Sequence, residues 1–140
     1  MPEEKTDPAV KEDYAVFEAP LDKFMGFKIS VISEGYCELR VPIREELSTG
    51  HGGVHGGVYY IICDLATLAA LSSKLGDNYY AVTTDINVSL LSSTDDGELI
   101  VKANVLRSGK RLAFVEAKVF DDKDKLLCAA RVTKAILPKA

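Results

Sequence analysis

A glycine-rich segment followed by a single carboxylate is the part of this sequence whose residue types could do chemistry. The segment reads His51-Gly-Gly-Val-His-Gly-Gly-Val, and the apolar stretch after it carries Asp64. Asp64 is the only Asp, Glu, Lys or Arg between Glu46 and Lys74. Because removing an isolated charge from water is strongly unfavourable, a carboxylate on an otherwise apolar helix indicates a special role.

Two glycines, Gly56 and Gly57, stand where this apolar helix is predicted to begin. A helix N-terminus presents unpaired N–H groups and the positive end of the helix dipole. Glycine has no Cβ, so a substrate oxygen can approach those N–H groups closely. The two glycines therefore suit an oxyanion site. The alternative is that they only permit a tight turn from loop to helix.

Asp64 lies seven residues beyond Gly57, which corresponds to about two helical turns and about 10 Å along the axis. One substrate carbonyl cannot touch both groups of the same subunit across that distance. The spacing therefore favours an isologous dimer in which the turn of one subunit meets the helix of its symmetry mate. The alternative for Asp64 is an internal ion pair or a hydrogen-bonded core carboxylate. No basic residue stands near it in the sequence, so we prefer the functional interpretation.

The remaining polar residues of this region have several interpretations. His55 could be a general base, could orient the substrate or could anchor the loop, and His51 is a weaker candidate. Thr67, one turn beyond Asp64, could orient a water or bond its own backbone. His51, His55 and Asp64 are residue types that bind metal ions. A glycine turn that caps a helix does not hold the two histidines in the positions of metal ligands, so we expect no metal. Cys63 has no evident base partner and is interpreted as a small buried hydrophobic residue.

The elements that position these residues follow from hydrophobic periodicity. A short amphipathic helix with a break or start at Pro20 is indicated by Tyr14, Phe17, Leu21, Phe24 and Met25. Strands are predicted at 28–33 and 36–41, joined by a tight turn at Glu34-Gly35. The central helix is predicted from about Gly57 to Leu75, with Gly76 beyond its end.

After this helix the hydrophobic period changes to two, in four runs separated by short turns. The alternating residues are Tyr80, Val82, Thr84, Ile86, Val88 and Leu90; Leu99, Val101, Ala103 and Val105; and Ala113, Val115, Ala117 and Val119, with a last strand over about 126–137. Short turns between such runs predict an antiparallel meander. A helix that is apolar on all sides must be surrounded, so the sequence predicts an α+β fold in which a curved antiparallel sheet wraps one long helix.

Composition limits the function classes. The 140 residues suit one domain, expected over 14–140 after a polar tail at 1–13. The net charge of −4 argues against nucleic acid as a partner. The start of the chain is polar and acidic, so we expect no secretory signal, and three cysteines without a CxxC pair suit a reducing cytoplasm. The apolar stretch 54–71 is interrupted by glycines and Asp64, so we expect no membrane span.

The spacing His55-Gly56-Gly57-x6-Asp64, followed by Ala66 and Ala70, resembles the HGG…D signature of hotdog-fold acyl-CoA thioesterases, specifically the phenylacetate-pathway (PaaI-like) branch. The similarity covers about residues 17–137. Val82–Ser89 resembles the family's strand after the helix, and 96–99 and 108–111 resemble its next two turns. HGG alone is a weak signal, whereas this order and spacing are fairly specific.

The resemblance implies the hotdog fold, homodimers with active sites across the interface and usually a homotetramer. It also implies hydrolysis of an acyl-CoA thioester to the acid and free coenzyme A, with no cofactor. Gly56 N–H would polarise the thioester carbonyl, Asp64 of the partner subunit would attack directly or activate water, and His55 would position the loop and the thioester. Substrate contacts are expected from Gly57, Thr49, Thr67 and Ser92, and contacts with the coenzyme A phosphates from Gly109, Lys110 and Arg111.

This sequence departs from the family's pattern at three places. Thr49 stands where the family often has Asn, Leu68 stands where it often has Thr or Ser, and Ser92-Ser93 replaces a Ser-Pro pair. The departures at Thr49 and Leu68 motivate a second hypothesis, a noncatalytic acyl-CoA-binding module on the same fold. A hotdog-fold dehydratase acting on hydroxyacyl thioesters is a third hypothesis, and the HGG loop argues against it.

The basic pair at 110–111 also has an alternative to coenzyme A binding, since it could be an ordinary solvated hairpin.

Overall fold

The computed structural model describes residues 17–140. The predicted tail at 1–13 and the contribution of Tyr14 to the first helix lie outside the described residues. The elements, in chain order, are α1 (Pro20–Met25), β1 (Lys28–Ser33), β2 (Tyr36–Pro42), a 3-10 turn (Glu45–Leu47), α2 (Gly56–Ser72), β3 (Tyr79–Leu90), β4 (Glu98–Ser108), β5 (Leu112–Phe120) and β6 (Leu126–Pro138). The strands form one antiparallel sheet in the order β1-β2-β4-β5-β6-β3. The predicted α+β architecture is confirmed. The meander predicted for the last four strands is wrong for the first of them, because β3 pairs with β6 at the edge of the sheet and not with β4, its successor in sequence.

The central helix α2 packs against strands β1 to β6, because almost every side of it is apolar. Ile62, Ala66, Ala70 and Leu71 are fully buried, and the alanines allow the curved sheet to approach the helix closely. Among residues 17–140, no helix combines the length and the hydrophobicity that crossing a bilayer requires.

The C-terminus of α2 differs from the prediction. The helix ends at Ser72, and its C-cap is Ser73, so the predicted extension to Leu75 with Gly76 as the terminator is wrong. The reason is a tertiary contact. The Ser73 hydroxyl donates to the carbonyl of Ala70 at 2.7 Å and accepts from the N–H of Gly35 at 2.8 Å, which ties the helix end to the β1–β2 turn.

Strand β3 does not keep one alternation along its whole length. Its register with β6 shifts between Thr83, which pairs with Lys134, and Asp85, which pairs with Thr133. The extra residue forms a bulge, and a bulge re-aims the side chains on one side of it. The single alternation predicted from Tyr80 to Leu90 is therefore wrong: Tyr80 and Val82 are both 45% exposed, whereas Thr83 contacts the central helix.

Strand β3 also forms one edge of the sheet, where only β6 pairs with it among the described residues. It is twelve residues long and carries apolar side chains that are about half exposed, namely Tyr79, Tyr80, Val82 and Leu90. A long apolar edge of this kind is a template for pairing with another chain.

Candidate active site

The first turn of α2 is organised by His55, which is its N-cap. The Nδ1 atom of His55 accepts a hydrogen bond from the N–H of Gly57 at 2.9 Å, and the backbone N–H of His55 donates to the carbonyl of Leu47 at 2.8 Å. An Nδ1 acceptor places the proton of the neutral ring on Nε2. The structure therefore gives His55 a positioning role: its side chain caps the helix and its backbone fixes the loop that enters it.

The two glycines of this turn have different hydrogen-bonding states. The N–H of Gly57 is occupied by His55, whereas the N–H of Gly56 meets no acceptor within residues 17–140. A Cβ added at Gly56 would lie 3.0 Å from Leu90 Cδ1, and one added at Gly57 would lie 3.1 Å from His55 Nδ1. The predicted substrate contact through the Gly57 N–H is thus disfavoured by its use in the cap, and Gly56 keeps the free donor at the positive end of the helix.

Asp64 has a basic partner, so the expectation based on its sequence neighbours is wrong. Lys134 Nζ donates to Asp64 Oδ1 at 3.0 Å, and the Thr83 hydroxyl donates to the same oxygen at 2.5 Å. Lys134 Nζ also donates to Thr83 Oγ1 at 2.8 Å, which closes a triangle of three side chains. Both Asp64 bonds end on Oδ1. Within the described chain Oδ2 accepts no hydrogen bond.

The ion pair is asymmetric in its exposure to solvent. The Lys134 side chain is 1% exposed and the Asp64 side chain is 46% exposed. Burial lowers the pKa of Lys134, and the charge of Asp64 and its hydrogen bond oppose that shift. A purely internal ion pair would bury both groups. Here the amine is enclosed in the core, and the carboxylate keeps an open face beside the edge strand β3.

Three other predicted substrate contacts lie in different settings. Thr67 is fully buried, and its hydroxyl donates to the backbone carbonyls of Cys63 at 2.8 Å and Asp64 at 3.0 Å, so it takes the backbone-bonding alternative. The Thr49 hydroxyl donates to the carbonyl of Gly52 at 3.0 Å and is engaged within its own loop. Ser92 is half-buried beyond the end of β3, where its N–H donates to the carbonyl of Leu127 at 3.2 Å.

The predicted coenzyme A contacts form the exposed hairpin between β4 and β5. Gly109 donates its N–H to the carbonyl of Leu112 at 2.8 Å, and Lys110 and Arg111 are exposed. Ala113, which pairs with Ser108 at the base of this hairpin, stands opposite Lys134 in the sheet. The basic hairpin therefore lies at the end of the sheet where the Asp64 cluster is found.

Cys63 lies directly before Asp64 in sequence, about 100° around the helix from it. It is fully buried, and its Sγ lies 3.9 Å from Sγ of Cys128, which is also fully buried. The contact with Cys128 and the burial both raise the pKa of the Cys63 thiol, which disfavours a thiolate nucleophile. Its interpretation as a buried hydrophobic residue is confirmed.

Two residues of the cluster, Thr83 and Lys134, were not predicted as site residues. One signal in the sequence could have found the lysine. The period-two pattern of β6 places Lys134 on the same face as the buried Val132 and Ile136, and a lysine on a core face requires a partner. Thr83 carried no such signal, because its inward position depends on the bulge in β3.

The comparison with known proteins agrees with this geometry. Residues 51–128, more than half of the chain, match the Thioesterase superfamily. The chain belongs to the Thioesterase superfamily. The matched segment contains the glycine turn, Asp64 and Thr83, and it ends before Lys134. The prediction that the chain is a thioester hydrolase with a hotdog fold is thereby confirmed.

Relatives support the same assignment over most of the chain. Human acyl-coenzyme A thioesterase 13 is 32% identical over 114 residues, which cover 76% of this chain and 79% of that protein. The 1,4-dihydroxy-2-naphthoyl-CoA hydrolase of Listeria monocytogenes is 25% identical, with 85% and 97% covered. A conserved protein of Pseudomonas aeruginosa has a solved structure that matches with a TM-score of 0.82 at 29% identity, covering 86% of this chain and 96% of that one.

Proposed function

We propose that this thioesterase hydrolyses acyl-CoA thioesters in an active site that joins Gly56 of one subunit to Asp64 of another. The observation that carries the proposal is the state of Asp64. One carboxylate oxygen is held by two donors, while the other is unbonded within the described chain on a side chain that is nearly half exposed. A carboxylate with one oxygen held in place and the other unbonded can act as a general base or as a nucleophile.

The chemistry requires two groups that meet at one thioester carbonyl. The free N–H of Gly56 and the positive end of the α2 dipole stabilise the negative charge that develops on the carbonyl oxygen. Asp64 either accepts a proton from the attacking water or attacks the carbonyl carbon itself. In the first route water adds to the carbonyl carbon as Asp64 takes its proton. In the second route Asp64 forms an acyl anhydride, which water then hydrolyses to release the acid and restore the carboxylate. In both routes the carbon–sulfur bond breaks, and the thiolate leaves and takes up a proton.

The two groups belong to different subunits in this proposal. Gly56 and Asp64 are eight residues apart on one straight helix, or about 12 Å along its axis. Asp64 is hydrogen-bonded to Thr83 of the edge strand β3, so the carboxylate lies next to the surface where another chain can add. Antiparallel pairing of two β3 strands about a twofold axis would join the two sheets and bring each glycine turn towards the other subunit's carboxylate.

The coenzyme A part of the substrate is supported by the relatives and by the charge of the nearby hairpin. The human relative is named for acyl-coenzyme A and the Listeria relative for an aromatic CoA thioester. In this chain Lys110 and Arg111 would meet the phosphates at the rim of the site. We also propose that the protein is a cytoplasmic homodimer that assembles into a tetramer, and that it belongs to the phenylacetate-pathway (PaaI-like) branch.

The proposal is tested by a thiol-release assay across short, long and aromatic acyl-CoAs, with the wild type, Asp64→Asn and a matched Asp122→Asn control. Asp122 is exposed in the β5–β6 turn, so the control makes the same chemical change away from the site. Removing a general base costs about 10²- to 10⁴-fold in turnover. We expect that loss for Asp64→Asn alone, with unchanged circular dichroism. Wild-type turnover by Asp64→Asn would refute the mechanism, and tight binding of acyl-CoA without turnover by the wild type would favour the binding module.

A further inference from the structure

Lys134 is the least expected residue of the described core. It is a lysine with 1% of its side chain exposed, on the inward face of β6 between Val132 and Ile136. Lysine is almost never fully buried unless its charge is paired. Its cross-strand neighbours, Thr83 on β3 and Ala113 on β5, carry no charge, so Asp64 on α2 is the charged group that Lys134 faces among the described residues.

The hydrogen bonds of Lys134 all lead towards Asp64. Nζ donates directly to Asp64 Oδ1 at 3.0 Å and to Thr83 Oγ1 at 2.8 Å, and the Thr83 hydroxyl donates a hydrogen bond to the same Oδ1 at 2.5 Å. With Oδ1 fixed at two points, rotation of the carboxylate about its terminal torsion is restricted. That torsion is otherwise broad and nearly two-fold for aspartate. The remaining oxygen, Oδ2, is thereby held in one direction.

We propose that Lys134 is a positioning residue of the thioesterase site, which acts through Asp64 and holds its Oδ2 towards the reacting thioester. This inference rests on the proposed function, because it assigns a task to Lys134 only if Asp64 acts on the thioester. Lys134 does not touch the substrate itself, since its side chain is enclosed behind the carboxylate. Its role is to restrict the carboxylate and to keep a positive charge beside the ionised form.

The stability of Lys134→Met distinguishes a positioning role of Lys134 from a purely structural role. Burial of the ammonium group outweighs the attraction of Asp64 and lowers the pKa of Lys134, so the charged lysine is held in the core at a cost. Replacing it by methionine, which is similar in length and apolar, removes that cost. Asp64 keeps contact with water and Thr83, and is therefore not left as an uncompensated buried charge.

The test compares kcat, KM and melting temperature for Lys134→Met, Asp64→Asn, the wild type and a matched Lys118→Met control. Lys118 is an exposed lysine of β5, so the control makes the same change on the sheet surface. We expect Lys134→Met to lower kcat by about 10- to 100-fold, the scale on which lost outer-shell partners affect metal-site ligands. KM is expected to stay unchanged and the melting temperature to stay equal to or above that of the wild type.

Each outcome has a distinct meaning. If Asp64→Asn turns over normally, the proposed function fails. If Asp64→Asn is inactive and Lys134→Met has the wild-type kcat, the proposed function stands and this inference is overturned. Parallel losses of kcat and melting temperature in Lys134→Met would indicate a structural role and would also overturn it.

A second measurement covers the case in which Lys134→Met does not fold. In wild-type protein labelled at lysine Cε, one lysine NMR signal is expected to titrate at lower pH than the exposed lysines, and to move when Asp64 is changed to Asn. Titration of every lysine together, with no response to Asp64→Asn, would show that the contact does not exist in solution and would overturn the inference.

Discussion

Replacement of His55 separates helix capping from acid–base catalysis. The structure gives its imidazole one task, acceptance of a hydrogen bond from Gly57 N–H at 2.9 Å. His55→Ala removes that acceptor and leaves the N–H at the second position of the helix unpaired. His55→Asn restores it, because asparagine is among the best N-cap residues and its side-chain oxygen reaches the same donor.

The size of the effect follows from known caps. Loss of an N-cap acceptor costs about 0.5–2 kcal/mol of stability. For a domain of this size, about 1 kcal/mol corresponds to a fall of roughly 3–5 °C in melting temperature. His55→Ala should show this fall, together with a loss of turnover as the Gly56 donor next to the cap becomes less well fixed. His55→Asn should recover both the melting temperature and most of the turnover.

The assay combines thermal unfolding with thiol release, at equal protein concentration because a dimer's melting temperature depends on concentration. If His55→Asn is as stable as the wild type but as inactive as His55→Ala, the imidazole itself takes part in the reaction. That result would refute the assignment of His55 as a cap and positioning residue.

Further predictions concern the core, the buried lysine and the thiols. Leu71→Ala, at a fully buried position of α2, should lower the free energy of unfolding by about 2–5 kcal/mol in urea titration, and a cost below 1 kcal/mol would contradict the packing described. Burial lowers the pKa of Lys134 in the folded chain below its ordinary 10.5, so between these two pKa values the unfolded chain binds more protons than the folded chain. The unfolding free energy of the wild type relative to Lys134→Met should therefore rise with pH in this range. Burial raises the pKa values of Tyr36 and Cys37 to about 12, which makes the unfolding free energy fall with pH. This contribution cancels in the difference, because both proteins contain the two residues. A difference that does not change with pH would refute the lowered pKa of Lys134. A thiol reagent should label Cys37, Cys63 and Cys128 only after denaturation, since all three are free and buried; rapid labelling of the native protein would contradict this.

The parts of the fold that the sequence predicts are those set by local periodicity. The strands at 28–33 and 126–138 and the start of α2 at the glycine turn are defined by hydrophobic patterns and turn residues within a few positions. The end of α2 is not, because Ser73 bonds to Gly35, which lies 38 residues away in the chain. The phase of β3 is not predicted either, since a bulge at Thr84 reverses it without any local signal.

The same distinction applies to the site. Asp64 and the glycine turn could be found because both lie in one short segment. The partner of Asp64 could not be found by inspecting its neighbours, because Lys134 is 70 residues further along the chain and reaches it only across the sheet. The absence of a basic residue near Asp64 in the sequence therefore does not exclude an ion pair. In the structure Asp64 combines both properties, a fixed ion pair on one oxygen and an open second oxygen.

The most direct test of the central claim, a site completed by two subunits, is the activity of a purified mixed dimer of Asp64→Asn and Gly56→Val. A Cβ added at Gly56 would lie 3.0 Å from Leu90 Cδ1, so the larger valine side chain requires the helix start, with its N–H, or Leu90 to shift. Each variant alone should be inactive. In the mixed dimer, one site receives the native Gly56 from one chain and the native Asp64 from the other, so half of the wild-type activity should return. No activity in the mixed dimer would contradict the account, because each chain would then need both residues in its own site.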